Sequence, residues 1–217
     1  MENHDEQRLA SDFIVGDGRT AFPAMLVSAT IDSCPTMVYF GQELGERGMD
    51  AEGFSGCDGR TTIFDYWSVD TIRRWRNGGT FSGRELNEGE CDLQQRYVHL
   101  LHIARDVRAI CEGDFFDLMY ANPHTEHFNP HRTYAFLRKH EDELLLVVAN
   151  FDSADKQVAV NIPIHAFDYF HLPVLQDVET TELLTGTTLS LTLSPDTPTL
   201  LHVPGHSGVI VKIAVKG

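Results

Sequence analysis

The stretch DLQQRYVHLLHIARDVRAICEG at residues 92–113 and the FFDLMYA that follows it at 115–121 stand on either side of a change in periodicity. In the first, Leu93, Tyr97, Leu100, Leu101, Ala104, Val107 and Cys111 recur at i, i+4, i+7, i+8, i+11, i+14 and i+18, one apolar stripe along a helix. Asp92 in the first turn and Arg105 and Arg108 in the last complement the helix dipole, so the spacing predicts a core-facing helix over 92–110. After Glu112-Gly113 the period falls to two. Segments 115–121, 133–139, 144–151, 157–162, 169–175, 179–184, 189–193, 200–203 and 209–215 read as short strands. Turn signals such as Asp152-Ser153, Thr185-Gly186-Thr187 and Pro204-Gly205 separate them. Short strands at roughly ten-residue spacing predict an antiparallel sandwich or barrel. The chain therefore reads as α+β, with a boundary near residue 112 that divides it into 1–112 and 113–217.

Working back from residue 92, the first part reads as helices and loops around one short strand. Residues 20–34 carry Pro23 in a first turn, place Phe22, Met25, Leu26, Ala29 and Ile31 on roughly one face, and stop at Cys34-Pro35. Thr36-Met37-Val38-Tyr39-Phe40 is a compact β-prone run closed by Gly41, and its lack of alternation suits a strand buried on both faces, as in a parallel sheet. Residues 44–65 are rich in Gly and Asp and predict a long loop of the kind that forms the rim of a site. A short helix is expected over 69–77, capped by Ser68, with Ile72 and Trp75 inward and Gly78-Gly79 at its end.

Charge narrows the partners. Acids outnumber bases 32 to 17 over 217 residues, and the excess is spread over both parts, 19 to 11 in 1–112 and 13 to 6 in 113–217. With no Lys/Arg run to track phosphates, neither nucleic acid nor an anionic membrane is an expected partner. Apolar runs fall well short of the ~18 residues of a membrane span, and the polar start Met1-Glu2-Asn3-His4-Asp5-Glu6 reads against a signal peptide. Cys34, Cys57, Cys91 and Cys111 form no C-x-x-C pair, which argues for free thiols and against structural zinc. His127 and His131 fall in a stretch broken by Asn122-Pro123 and Asn129-Pro130, so a loop is expected there and no metal site. Compartment is not legible.

The chemistry-bearing cluster is Asn3-His4-Asp5-Glu6-Gln7-Arg8. A carboxylate beside an imidazole can accept from two vicinal sugar hydroxyls while the ring donates to a third. The same pair also suits a plain polar terminus.

Order along the chain adds to this. N-H-D-x-x-R, a helix, then P-T-M-V-Y-F-G-Q-E-L-G resembles the α-amylase family of glycoside hydrolases. There an N-H-D segment ends the seventh strand of a (β/α)8 barrel, and the eighth reads as Pro, apolar residues, then Y-[YF]-G-x-E, matched by Pro35, Tyr39, Phe40, Gly41 and Glu43. A Gly/Asp-rich loop with an arginine follows in many members, here Asp58-Gly59-Arg60. A final helix then leads to a sandwich whose early strands resemble residues 134–138 and 147–151. The resemblance implies the last βα units of a barrel in 1–112 and a Greek-key-like antiparallel sandwich in 113–217.

It also implies roles. His4 and Asp5 would contact the sugar at the cleavage subsite, with Asp5 the supporting acid that favours an oxocarbenium-like ring. Glu43 would be a rim or structural carboxylate, and Arg8 would orient neighbouring acids. Phe64, Tyr66 and Trp67 have two open readings, sugar platform or packing. Retaining cleavage needs a nucleophile and an acid/base carboxyl about 5–5.5 Å apart, and no G-x-R-x-D-type segment occurs in the chain.

The implied parent is thus an α-glucan-acting hydrolase or a transglycosylase of the same family, and this chain alone is expected to be inactive. Its implied partners are an α-glucan or maltooligosaccharide through the complete enzyme and the rest of the barrel, with self-association through uncovered apolar surface. No cofactor is implied for this chain, and calcium stays open for the parent. An α-glucan-binding or purely structural module is the rival reading.

Overall fold

The computed structural model describes residues 1–49, 53, 54, 56–65 and 69–215. The chain divides into two compact units, Met1–Met25 with Thr36–His99, and Leu26–Pro35 with Leu100–Gly217. Helices α1 (Phe22–Thr30), α2 (Asp70–Arg76), α3 (Glu88–Asp106) and α4 (Arg108–Cys111) precede the first strand.

The α1 helix ends four residues before the expected Cys34-Pro35 stop; the Thr30 hydroxyl donates to the Leu26 carbonyl 2.7 Å away in its last turn. The α3 helix begins earlier than the stripe suggested, because Asn87 and Glu90 form a capping box. The Glu90 N–H donates to Asn87 Oδ1 at 2.9 Å and the Asn87 N–H to Glu90 Oε2 at 2.9 Å. It breaks at Val107, whose extended backbone (φ −91°, ψ 114°) starts the separate turn of α4. Ser68, the expected cap of α2, lies outside the described residues.

Within the first unit, Leu44, Met49, Val69 and Ile72 form a small core with Trp75 and Leu86 against it. The 3-10 turn Gln42–Leu44 is flanked by Gly41 and Gly45, both with left-handed φ. A Cβ on Gly41 would stand 3.0 Å from Ile72 Cδ1, so the turn needs glycine there on two counts. The expected strand at Thr36–Phe40 is not formed, since no described residue before Asp114 is in a strand. Instead the Tyr39 N–H donates to Gln42 Oε1 at 3.1 Å and the Phe40 carbonyl accepts from the Arg8 guanidinium. A β-prone run becomes a strand only where another strand supplies its ladder, and side chains satisfy this backbone in the ladder's place.

The second unit carries β1 (Asp114–Asp117), β2 (Thr133–His140), β3 (Glu143–Asn150), β4 (Lys156–Val160), β5 (Leu175–Glu182), β6 (Thr187–Leu193), β7 (Thr199–Val203) and β8 (Ser207–Ala214). Every pairing is antiparallel, in a six-stranded sheet of order β1-β2-β3-β8-β5-β6 and a two-stranded sheet β4-β7. Leu144, Leu146 and Val148 of β3 share one core with Val158 and Val160 of β4 and Val211 and Ile213 of β8.

The expected strand at 169–175 is corrected. Residues Ile164–Phe170 form helix α5 after Pro163, with Ala166, Phe167 and Phe170 buried and His171 in the left-handed region at its end. Apolar residues at i, i+1 and i+4 suit a helical face, and Pro163 pre-sets its entry.

Candidate functional site

His4 and Asp5 sit in a tight bend held by Asn3, whose Oδ1 accepts the Asp5 N–H at 2.8 Å and the Glu6 N–H at 2.9 Å. His4 Nε2 lies 3.4 Å from Asp5 Oδ2, and the side chains are 49% and 77% exposed. Both polar ends are thus open to a ligand.

What holds this bend lies beneath it. Glu2 and Arg8 are both buried; Arg8 Nε donates to Glu2 Oε2 at 2.7 Å and the Leu9 N–H to Glu2 Oε1 at 2.7 Å. Arg8 Nη2 donates to the Phe40 carbonyl at 2.7 Å, and the guanidinium lies over the Tyr39 ring, 4.8 Å from its centroid. The Tyr39 hydroxyl donates to the Thr61 carbonyl at 2.6 Å. Arg8 therefore orients an acid, as the resemblance implied, but that acid is Glu2. Sequence reading passed over Glu2, although the Glu2/Arg8 spacing frames the His4-Asp5 pair.

The Asp58–Arg60 segment also reaches this region. The Arg8 N–H donates to the Gly59 carbonyl at 2.7 Å, and Gln7 Nε2 to the Asp58 carbonyl at 3.1 Å. Glu43 is half-buried in its 3-10 turn, and its carboxylate has no hydrogen bond or ion pair among the described residues. Its neighbour Gln42 carries the structural role instead, donating from Nε2 to the Tyr97 hydroxyl at 3.1 Å. Burial pushes that phenol up to about 12, against the Gln42 bond. Tyr66 and Trp67 lie outside the described residues; Phe64 is exposed and its ring centroid is 4.8 Å from that of Phe54.

A second buried carboxyl, unforeseen in the sequence, is Glu46. It accepts from the Thr71 hydroxyl and, at 2.9 Å, from the Gly48 N–H. It lines a pocket of about 240 Å³ with Ser11, Asp12, Arg47 and Arg74. Burial pushes its carboxyl above the ordinary carboxylate range, although the Thr71 bond, the Arg8 charge and the Gly48 and Arg47 N–H groups favour the anion. A carboxyl raised on folding binds its proton more tightly folded than unfolded, so stability falls as pH rises through the raised value. Glu46→Gln keeps the shape and removes that term. The variant is expected to gain on the parent chain from acid to neutral pH in urea midpoints; an unchanged difference would count against it.

Among the described residues no group of three or more His, Cys, Asp or Glu is arranged to hold a metal ion. No helix among them is long and apolar enough to cross a membrane. All four cysteines are free and exposed.

No family model matches the chain, and no curated protein matches it. Solved structures do. A maltogenic α-amylase from Thermotoga neapolitana aligns over 99% of this chain and 40% of its own, at 15% identity and TM-score 0.63. AmyP in complex with maltose aligns over 100% and 41%, at 16% and 0.64. An isomaltulose synthase from Erwinia rhapontici aligns over 98% and 42%, at 17% and 0.55. The fold is that of the C-terminal part of α-amylase-type enzymes. The chain spans about two-fifths of the length of these three proteins.

Proposed function

We propose that this chain is the C-terminal part of an α-glucan-acting glycoside hydrolase that retains configuration. Residues 1–112 would complete a (β/α)8 barrel, and 113–217 form its antiparallel sandwich. The observation that carries the reading is the exposed His4–Asp5 pair on a bend anchored by the buried Glu2–Arg8 pair, within a fold shared over its full length with α-amylase-type enzymes. The maltose in one such structure supports an oligosaccharide as the ligand.

Asp5 would accept hydroxyl hydrogen bonds that strengthen as positive charge develops on the sugar ring, and His4 would donate to a neighbouring hydroxyl. Nucleophile and acid/base would come from a part of the barrel outside this chain. That part would also cover Met37, Phe40 and Ile63, which are exposed here and open a route to self-association. A synthase among the similar folds favours a second reading, transfer of a glucosyl group to a sugar hydroxyl in place of water.

Purified chain is expected to release no reducing sugar from maltoheptaose. Release that Asp5→Ala abolishes would overturn the expectation of inactivity. Reading the coding frame upstream of Met1 checks the parentage, since a G-x-R-x-D-type segment is expected there. In a protein carrying both parts, Asp5→Asn is expected to lower kcat by about 10²–10³-fold.

A further inference from the structure

The second unit exposes two tyrosines whose rings both pack near Phe116. Tyr120, in the 3-10 turn Met119–Ala121, is 60% exposed, and Tyr169, in α5, is 56% exposed. Their ring centroids lie 6.4 and 5.8 Å from that of Phe116 in β1. Phe116 in turn stands 6.0 Å from Phe170, which is buried in the core. The α5 helix turns Phe170 inward and leaves Tyr169 exposed.

The pair is held in place from below. Asn122 is fully buried; its Nδ2 donates to the Leu118 carbonyl at 2.8 Å and the Asn161 carbonyl at 2.9 Å, and its Oδ1 accepts the Asn161 N–H at 2.7 Å. That one side chain ties the turn bearing Tyr120 to the segment that leads into α5 and Tyr169. The tyrosines' backbones are thus fixed before any ligand arrives, which lowers the ordering cost of binding.

We propose that Tyr120 and Tyr169 form a surface platform for an α-glucan chain, distinct in sequence and unit from the His4–Asp5 bend. The inference rests on the α-glucan reading above and adds a second place where such a chain is held. The C–H faces of a pyranose ring are apolar and weakly positive, the complement of a phenol's electron-rich face. Sugar hydroxyls at the ring edge stay in water or reach the phenolic oxygens. His165, exposed and four residues before Tyr169 on α5, adds a polar group on the same side. Two exposed phenol rings packed against the same Phe116, each with an uncharged polar tip, suit a run of linked hexoses. An anion or cation would require a charge cluster that these residues do not provide.

The test is native electrophoresis of the full chain through gels containing soluble starch, with titration of maltoheptaose. Starch is expected to retard the chain. Tyr120→Ala and Tyr169→Ala should each weaken maltoheptaose binding about tenfold, the double variant should lose retardation, and Tyr→Phe at both positions should keep most of it. Maltoheptaose should also protect both tyrosines of the unmodified chain from nitration, a readout that needs no variant to fold.

Equal retardation of the folded double variant, or nitration unaffected by sugar, would overturn the proposal. Retardation lost only in His4→Ala/Asp5→Ala would overturn the platform and leave the α-glucan reading standing. Tyrosine-dependent retardation by a β-linked glucan with none by starch would overturn both. Self-association that the double variant abolishes, without starch binding, would assign the surface to a second copy and overturn the platform.

Discussion

Glu2→Gln is expected to destabilise the first unit by about 3–5 kcal/mol, a large share of the ~5–15 kcal/mol that holds a domain folded. The substitution keeps the volume of the side chain and removes its charge. Arg8 would then be buried with no carboxylate in hydrogen-bond range among the described residues, and its guanidinium would keep the Phe40 carbonyl and the Tyr39 ring. An amide would also turn a donor toward a guanidinium that has no acceptor to offer. The double variant Glu2→Gln/Arg8→Met is expected to recover much of the loss, because no unpaired charge remains. Tryptophan fluorescence in urea is the suitable probe, as Trp75 packs against the small core of the first unit. A single variant that unfolds at the parent's midpoint would show that the pair contributes nothing. The functional consequence follows from position: Glu2 and Arg8 fix the chain on either side of the His4–Asp5 bend, which Asn3 closes from within.

Arg138→Met is expected to destabilise the second unit for a different reason, by about 1–3 kcal/mol for each buried carbonyl that loses its donor. Arg138 is buried in β2 and has no carboxylate in ion-pair range among the described residues. Its charge is met by three carbonyls: Nε donates to Ala109 at 3.0 Å, Nη1 to Ile31 at 2.9 Å and Nη2 to Ile110 at 2.7 Å. Burial pushes the guanidinium below its ordinary range, only partly opposed by Asp32 and Asp114. Two of the carbonyls, Ala109 and Ile110, belong to the single turn of α4. Methionine fills the stem and takes the guanidinium donors from two buried acceptors and the half-buried Ile31 carbonyl. Lysine, a point charge without the planar fork, should restore part of the loss and no more. Far-UV circular dichroism in urea reads this unit, which contains no tryptophan. Full rescue by lysine, or a shift under about 1 kcal/mol for methionine, would sink the argument.

Much of the second unit was legible because its signals are local. Turn pairs such as Pro204-Gly205 and the dense apolar run of 144–149 place strands without knowledge of their partners. The misreadings share one cause. Thr36–Phe40 has strand propensity yet forms no strand among the described residues, and Tyr169–Phe170 sits in an aromatic run that fits either period until Pro163 starts a helix. The capping box at Asn87 and Glu90 was a local signal that the apolar stripe, beginning at Leu93, overshadowed. At the candidate site His4 and Asp5 stood out as a motif. Glu2, Gln42 and Glu46 did not, because a buried carboxylate or amide is defined by what lies over it.

The sequence by itself gave away the helices of residues 22–30 and 88–106, most of the antiparallel strands after residue 113 and the polar His4-Asp5 motif, since each is carried by residues a few positions apart. Only the tertiary structure decided the strand order β1-β2-β3-β8-β5-β6, the Glu2–Arg8 anchor with its reach to Phe40, and the packing of Tyr120 and Tyr169 against Phe116. Those depend on contacts between residues tens of positions apart. Such contacts form only where the whole core buries enough apolar surface to offset the entropy of closing the chain between them.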